Sequence, residues 1–158
     1  AQLISIFKKS NIGIFITASL AEAIGNLELT GLLLIIISFI IIAICTIFVP
    51  VASTKWAILA PVIVPMFMTS SMTPEFATAV FRAADSSVKG ITPLFSYFVL
   101  LIGFLQIYNQ KKEQTITLTD AMSLMAPYTI AFAILWLVII LGFYIIGLPI
   151  GPGVSPML

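Results

Sequence analysis

Long uncharged runs alternate with short polar segments along this chain. The run 29–54 carries no charge, and 31–49 alone is long enough to span a hydrocarbon core of about 30 Å. Two further uncharged runs cover 90–110 and 121–158. None of them alternates apolar and polar residues as the strands of a membrane barrel do, and lipid accepts only helices or closed barrels as spanning backbone. The pattern predicts an all-α integral membrane protein.

Two weaker apolar segments complete the pattern. One predicts a helix over about 1–27, and the other belongs to a helical hairpin over 31–72. The polar residues 50–55 form the tip of this hairpin, either as an ordinary loop at the membrane surface or as the end of a re-entrant hairpin. Pro61 and Pro65 interrupt the second arm and shorten it, which favours the re-entrant form.

The segment 75–109 is too long for one spanning helix. At 1.5 Å per residue it would extend more than about 50 Å. Gly90 is a poor helix former, and Pro93 lacks an amide proton and disfavours helix in the residue before it. We therefore expect a broken helix, with two half-helices at about 75–86 and 92–109 and unwound backbone between them.

The basic residues predict the orientation of the chain. Lys8 and Lys9 precede the first apolar segment, and Lys111 and Lys112 lie in the loop before the last one. Both pairs face the cytoplasm by the positive-inside rule, and the predicted number of crossings agrees. The last transmembrane helix, 120–148, then takes the C-terminus outside. The chain is thus expected to cross the membrane several times.

Composition supports this class and excludes others. Hydrophobic residues make up 61% of the 158 positions and charged residues 8%, and the mean hydropathy is +1.21. Such a chain cannot cover the surface of a soluble domain. A net charge of +1 gives no support for nucleic-acid binding, and the absence of histidine removes the usual general base and transition-metal ligand. No nucleophile motif is present, so we expect no enzyme and no bound cofactor.

Arg82 and Asp85 are ionisable residues in a predicted membrane helix, where an ionised side chain is unfavourable unless another group compensates its charge. They stand three residues apart on one helix face, so we expect a salt bridge between them. One interpretation is mutual neutralisation. The other, which we favour because the broken backbone implies a cavity, is that Asp85 carries a proton or meets a cation and Arg82 meets an anionic substrate.

Other polar residues near the two breaks have two interpretations each. Lys89 either reaches the membrane interface or takes part in the site, and Trp56 either anchors the chain at the interface or stacks on a flat substrate. Hydroxyl oxygens suit a hard cation such as Na⁺, although hydroxyls in membrane helices more often bond their own backbone. The candidate ion-binding residues are Ser53, Thr54, Ser86, Ser87, Thr92 and Lys89.

Several stretches resemble one known family. Residues 53–66 read STKWAILAPVIVPM, and the N-terminal stretch 1–13 contains AQL followed by SNIG. Arg82 and the DS pair are followed by ITPL within 82–94, and 126–132 and 147–153 read APYTIAF and GLPIGPG. In their order along the chain and in their spacing, these stretches resemble the AbgT family, the p-aminobenzoyl-glutamate transporters.

The resemblance implies a larger, homodimeric transporter of the bacterial inner membrane, built from inverted repeats, each with a re-entrant hairpin and a broken helix. Residues 1–158 would be its C-terminal half, and we expect them to be a piece of a longer chain. The family imports p-aminobenzoyl-glutamate by symport, or exports sulfonamide antimetabolites as antiporters, using a Na⁺ or H⁺ gradient. The implied partners are a small aromatic carboxylate and membrane lipid.

The resemblance also carries over site residues. Trp56, Pro74, Arg82 and Asp85 match positions that line the transport site, with Ser53 at the hairpin tip and Asp85 as the coupling residue. Where the family has Thr-Asn in the unwound segment, this chain has Val-Lys, the lysine being Lys89. We expect the Lys89 ammonium to replace a coupling cation and to make transport independent of sodium.

Two alternatives stay open from the sequence. One is a related ion transporter that carries dicarboxylates, and the other is a truncated remnant without transport activity or a partner in assembly. An intramembrane enzyme lacks any catalytic constellation.

Overall fold

The fold is known from a computed structural model that describes residues 31–49, 51–93, 95–109 and 115–157. The predicted helix over 1–27 and the four lysines used to predict orientation lie outside this part. The all-α class is confirmed, since the described residues form helices and only isolated β-bridges. The helices are α1 (Gly31–Phe48), α2 (Ala52–Thr69), α3 (Pro74–Val88), α4 (Ser96–Ile107) and α5 (Leu118–Ile146).

Within this described part, four segments are long and apolar enough to cross a membrane, when α3 and α4 are counted as one. They are α1, α2, the segment Pro74–Ile107 and α5. Much of the apolar surface of α5 is exposed, including Tyr128, Ile130 and Val138. Exposed apolar surface of this extent belongs against lipid or against further protein.

Helix α2 corrects one expectation. It runs without interruption from Ala52 to Thr69 through both prolines, so the predicted interruption at Pro61 and Pro65 is wrong. Each proline removes one backbone hydrogen bond, which leaves the carbonyls of Ala57 and Pro61 without an amide four residues on. Both residues lie on the exposed side of α2, where other groups can reach these carbonyls. Membrane helices tolerate proline in this way.

The predicted break between α3 and α4 is confirmed, with shifted bounds. Helix α3 continues to Val88, a 3₁₀ turn follows over Lys89–Ile91, and α4 begins only at Ser96. Thr92 is extended, with ψ of 108°, because Pro93 follows it. The second half-helix therefore starts four residues later than the expected position 92. Pro93 therefore disfavours helical backbone at the residue before it as well as at its own position.

Local signals define the other helix ends. Thr73 caps α3 by accepting from the Phe76 amide, and Pro74 occupies the first turn, where no amide is needed. A capping box between Thr117 and Asp120 starts α5. Gly147 ends α5 in the left-handed conformation, with φ of 71°, which glycine adopts without strain.

Helix α3 is the centre of the structure and packs against α1, α2 and α5. Nine of its fifteen residues are buried, among them Ala77, Ala83 and Ala84, whose small side chains let neighbouring helices approach closely. The C-terminal tail returns to the start of α3, where the Thr73 amide donates to the carbonyl of Pro156 at 3.1 Å. Helix α3 is therefore held by neighbouring helices along most of its length and by the C-terminal tail at its start.

Candidate functional site

The centre of the site is a cluster of ionised side chains from two helices and the turn that follows α3. Asp85 lies on α3 and is 2% exposed. Its Oδ1 pairs with the Lys55 ammonium from the first turn of α2, and its Oδ2 pairs with the Lys89 ammonium at 2.9 Å. Lys55 is also 2% exposed, whereas the Lys89 side chain is 32% exposed. Both oxygens of one buried carboxylate are therefore held by ammonium groups.

Helix α1 contributes Thr46 to this cluster. The Thr46 hydroxyl accepts a hydrogen bond from Lys55 Nζ at 2.6 Å and donates to the Ile42 carbonyl at 2.8 Å. The Lys55 ammonium also lies 5.9 Å from the centre of the Phe81 ring. The polar atoms of the buried lysine are thus satisfied by groups from α1 and α3.

The expected salt bridge between Arg82 and Asp85 is not formed. Asp85 faces the interior, where Lys55 arrives from a helix thirty residues earlier in the chain. Arg82 stands at the exposed side of α3 and pairs with no carboxylate in the described part of the chain. Spacing along one helix shows which residues share a face, and it cannot show which residue of another helix comes closer.

Arg82 instead lines a cavity of about 410 Å³ between α3 and α5. Arg82 and Ser86 stand one helical turn apart on the α3 wall, and Trp136 and Phe143 stand on the α5 wall. Isoleucine and alanine side chains complete the lining. One guanidinium and one hydroxyl in an apolar, aromatic cavity are suited to a molecule with an aromatic ring and a carboxylate.

The structure separates Trp56 from this cavity. Its ring packs against Phe81, with ring centres 4.7 Å apart, and it covers the apolar core. Pro74 lies in the first turn of α3, two turns before Arg82, where it starts the helix. The aromatic residue beside Arg82 is Trp136, which sequence reasoning missed. Its only signal was a tryptophan in the middle of an apolar helix.

The hydroxyl groups predicted for ion binding are used in different ways. Ser87 donates to the Ala84 carbonyl at 2.9 Å, and Thr92 donates to the Val88 carbonyl at 3.0 Å, so both bond their own backbone. Ser86 lines the Arg82 cavity. Ser53 and Thr54 lie in the first turn of α2, where Ser53 is exposed. Cation binding by these residues stays a prediction.

The sequence can now be compared with known proteins. The sequence model of the AbgT transporter family matches residues 1–158. The chain belongs to this family. AbgT proteins are transporters, so the prediction that the chain is not an enzyme is confirmed, and it is part of a multi-pass membrane protein.

Individual AbgT relatives agree in sequence and in fold. A p-aminobenzoyl-glutamate transport protein of Escherichia coli (strain K12) is 37% identical over all 158 residues, which cover 30% of that relative. The crystal structure of the Alcanivorax borkumensis YdaH transporter matches with a TM-score of 0.75 at 33% identity, over 96% of this chain and 31% of that one.

A second AbgT structure matches almost as well. Neisseria gonorrhoeae MtrF, described as illuminating a class of antimetabolite efflux pumps, matches with a TM-score of 0.70 at 33% identity, over 96% of this chain and 29% of that one. The chain thus spans about three tenths of the length of the relatives it matches.

Proposed function

We propose that this protein carries an aromatic carboxylate of the p-aminobenzoyl-glutamate type across the membrane, and that Arg82 binds the carboxylate. The cavity between α3 and α5 carries the proposal. Arg82 lines it together with Trp136 and Phe143 and has no carboxylate partner in the described residues. An unpaired guanidinium on a membrane helix is unfavourable unless it binds an anion or water.

The chemistry of the cavity favours an aromatic substrate over a simple dicarboxylate. Guanidinium binds carboxylate through two parallel hydrogen bonds, and Trp136 offers a flat apolar surface for a ring. The volume of about 410 Å³ falls within the range usual for small-molecule sites. A dicarboxylate without a ring would leave the aromatic wall without a partner.

Transport by the complete protein in proteoliposomes tests the proposal. Arg82→Gln removes a charge-assisted bond worth about 1.5–3 kcal/mol, which predicts a KM for p-aminobenzoyl-glutamate raised about 10- to 150-fold. Arg82→Lys keeps the positive charge but loses the bidentate hydrogen bonding to the carboxylate, so we expect an intermediate KM. Trp136→Phe is the matched control, since it keeps a ring.

Competition separates the substrate classes. Benzoate derivatives should compete with p-aminobenzoyl-glutamate, and aliphatic dicarboxylates should not. Preferential competition by aliphatic dicarboxylates would overturn the proposal. Loading the vesicles with a sulfonamide tests export of antimetabolites by the same protein.

For the coupling ion, we propose that transport does not use sodium. Na⁺ requires oxygen ligands, and both oxygens of Asp85 are held by the ammonium groups of Lys55 and Lys89. This arrangement supports the expectation that an ammonium stands where a metal cation would bind. Uptake should respond to a proton gradient and stay unchanged when a sodium gradient replaces a potassium gradient. A strict sodium requirement would refute this part of the proposal.

A further inference from the structure

The ion cluster around Asp85 carries an unbalanced positive charge. Two ammonium groups, from Lys55 and Lys89, face one carboxylate, and among the residues that the structure describes the only other polar side chain that joins them is the neutral Thr46. Within the described residues, Asp85 is the only acidic residue that pairs with either lysine. An uncompensated charge within a membrane protein is strongly unfavourable, so the cluster calls for an anion.

Of the two lysines, only Lys89 can bind that anion. Lys55 is almost completely buried, and its ammonium already donates to Thr46 and Asp85. The Lys89 side chain is 32% exposed and has one ion-pair partner, Asp85, in the described part of the chain. An ammonium has three N–H donors, so Lys89 can hold Asp85 and a second carboxylate together.

A cavity with suitable chemistry adjoins Lys89. It has a volume of about 230 Å³ and is separate from the Arg82 cavity. Lys89 and Gly90 line it from the break, Met125 lines it from α5, and three aromatic residues line it from the start of α4. These are Phe95, Tyr97 and Phe98. The Lys89 ammonium lies 5.8 Å from the centre of the Phe95 ring.

We infer that the Lys89 cavity is a second binding position for the transported aromatic carboxylate. The carboxylate supplies the missing negative charge at Lys89, and the rings of α4 contact the apolar part of the substrate. This inference rests on the proposed function, because it takes its ligand from the Arg82 cavity.

The Arg82 cavity lies between α3 and α5, and the Lys89 cavity lies between the break, α4 and α5, so both have a wall on α5. Met125 and Trp136 mark them on α5, and eleven residues of helix separate these two by about 16 Å. Gly90, in the wall of the Lys89 cavity, lies against Thr129 of α5, where an added Cβ would meet the hydroxyl oxygen at 3.4 Å. Movement of the substrate from one position to the other is therefore movement along α5.

Protection of single cysteines tests the inference in the complete protein. In a version with Cys45→Ser and no other cysteine, Tyr97→Cys reports on the Lys89 cavity and Ile139→Cys on the Arg82 cavity. Tyr108→Cys, at an exposed position just beyond α4, is the control. With p-aminobenzoyl-glutamate at ten times its dissociation constant, we expect a small thiol reagent to react about tenfold more slowly at the first two positions and unchanged at Tyr108→Cys.

Variants of Lys89 complete the test. Lys89→Gln should abolish the protection of Tyr97→Cys and leave that of Ile139→Cys intact, which also shows that the variant is folded. Lys89→Arg keeps the charge and should keep both.

Each further outcome decides between the proposals. Protection at Ile139→Cys without protection at Tyr97→Cys overturns the second position and leaves the proposed function standing. That result is expected if a protein carboxylate from outside the described residues balances Lys89. Equal protection of Tyr97→Cys by inorganic phosphate overturns the assignment to substrate. Protection at neither position refutes both proposals.

Discussion

Neutralising Asp85 is the perturbation whose effect on stability the structure specifies most fully. In Asp85→Asn, the Lys55 ammonium stays 2% exposed and loses its counter-charge. Removing one partner of a buried pair costs about 3–5 kcal/mol, because the other charge is left uncompensated. Glu75→Gln makes the same chemical change at an exposed position of the same helix, and should change the free energy of unfolding by no more than about 0.5 kcal/mol.

The two lysines should differ in their contribution. Lys55→Met leaves Asp85 paired with Lys89 and loses one charge-assisted bond, so it should lower the free energy of unfolding by about 1–3 kcal/mol. Lys89→Gln leaves Asp85 paired with buried Lys55 and removes a partly exposed ion pair. It should lower the free energy of unfolding by about 1 kcal/mol or less.

The double variant distinguishes this reasoning from a simple loss of packing. Asp85→Asn combined with Lys55→Met has no buried ammonium, so it should be more stable than Asp85→Asn alone. Titration of the complete protein with sodium dodecyl sulfate in mixed micelles measures the four unfolding free energies. We expect a coupling between the two sites of about 0.5–3 kcal/mol. Strictly additive losses would show that Lys55 and Asp85 do not interact, and would refute the cluster as the structure describes it.

Three further predictions concern other parts of the chain. Thr117→Ala removes the capping box of α5 and should cost about 1 kcal/mol in the same titration, whereas Thr117→Ser should restore most of it. Gly90→Ala should be tolerated, because its Cβ makes an ordinary contact, and Gly90→Leu should cost about 1–3 kcal/mol through overpacking against Thr129. Ser155→Cys in a Cys45→Ser background should react with a membrane-impermeant maleimide added to intact cells, because the basic loop before α5 places the C-terminus outside. Labelling only after the cells are permeabilised would reverse the predicted orientation.

The helix ends show how far local reasoning extends. Pro93 predicts the break between α3 and α4 because a proline acts on its own residue and on the one before it. Asp120 falls where a capping charge is expected for the same reason, since its partner is three residues away. Pro61 and Pro65 are different: whether a proline breaks a membrane helix depends on what surrounds the carbonyls it leaves unpaired, and α2 continues through both.

The site itself depended on contacts between distant residues. Composition and hydrophobic runs were enough to determine a helical membrane protein, because a helix satisfies its own backbone within the run that forms it. The motifs likewise led to the AbgT family without coordinates. Only the tertiary structure decided that Asp85 pairs with Lys55 and Lys89, that Arg82 shares a cavity with Trp136, and that Trp56 packs against the core. The physical reason is that helical periodicity specifies a face, whereas the partner of that face is chosen by the packing of helices far apart in the chain.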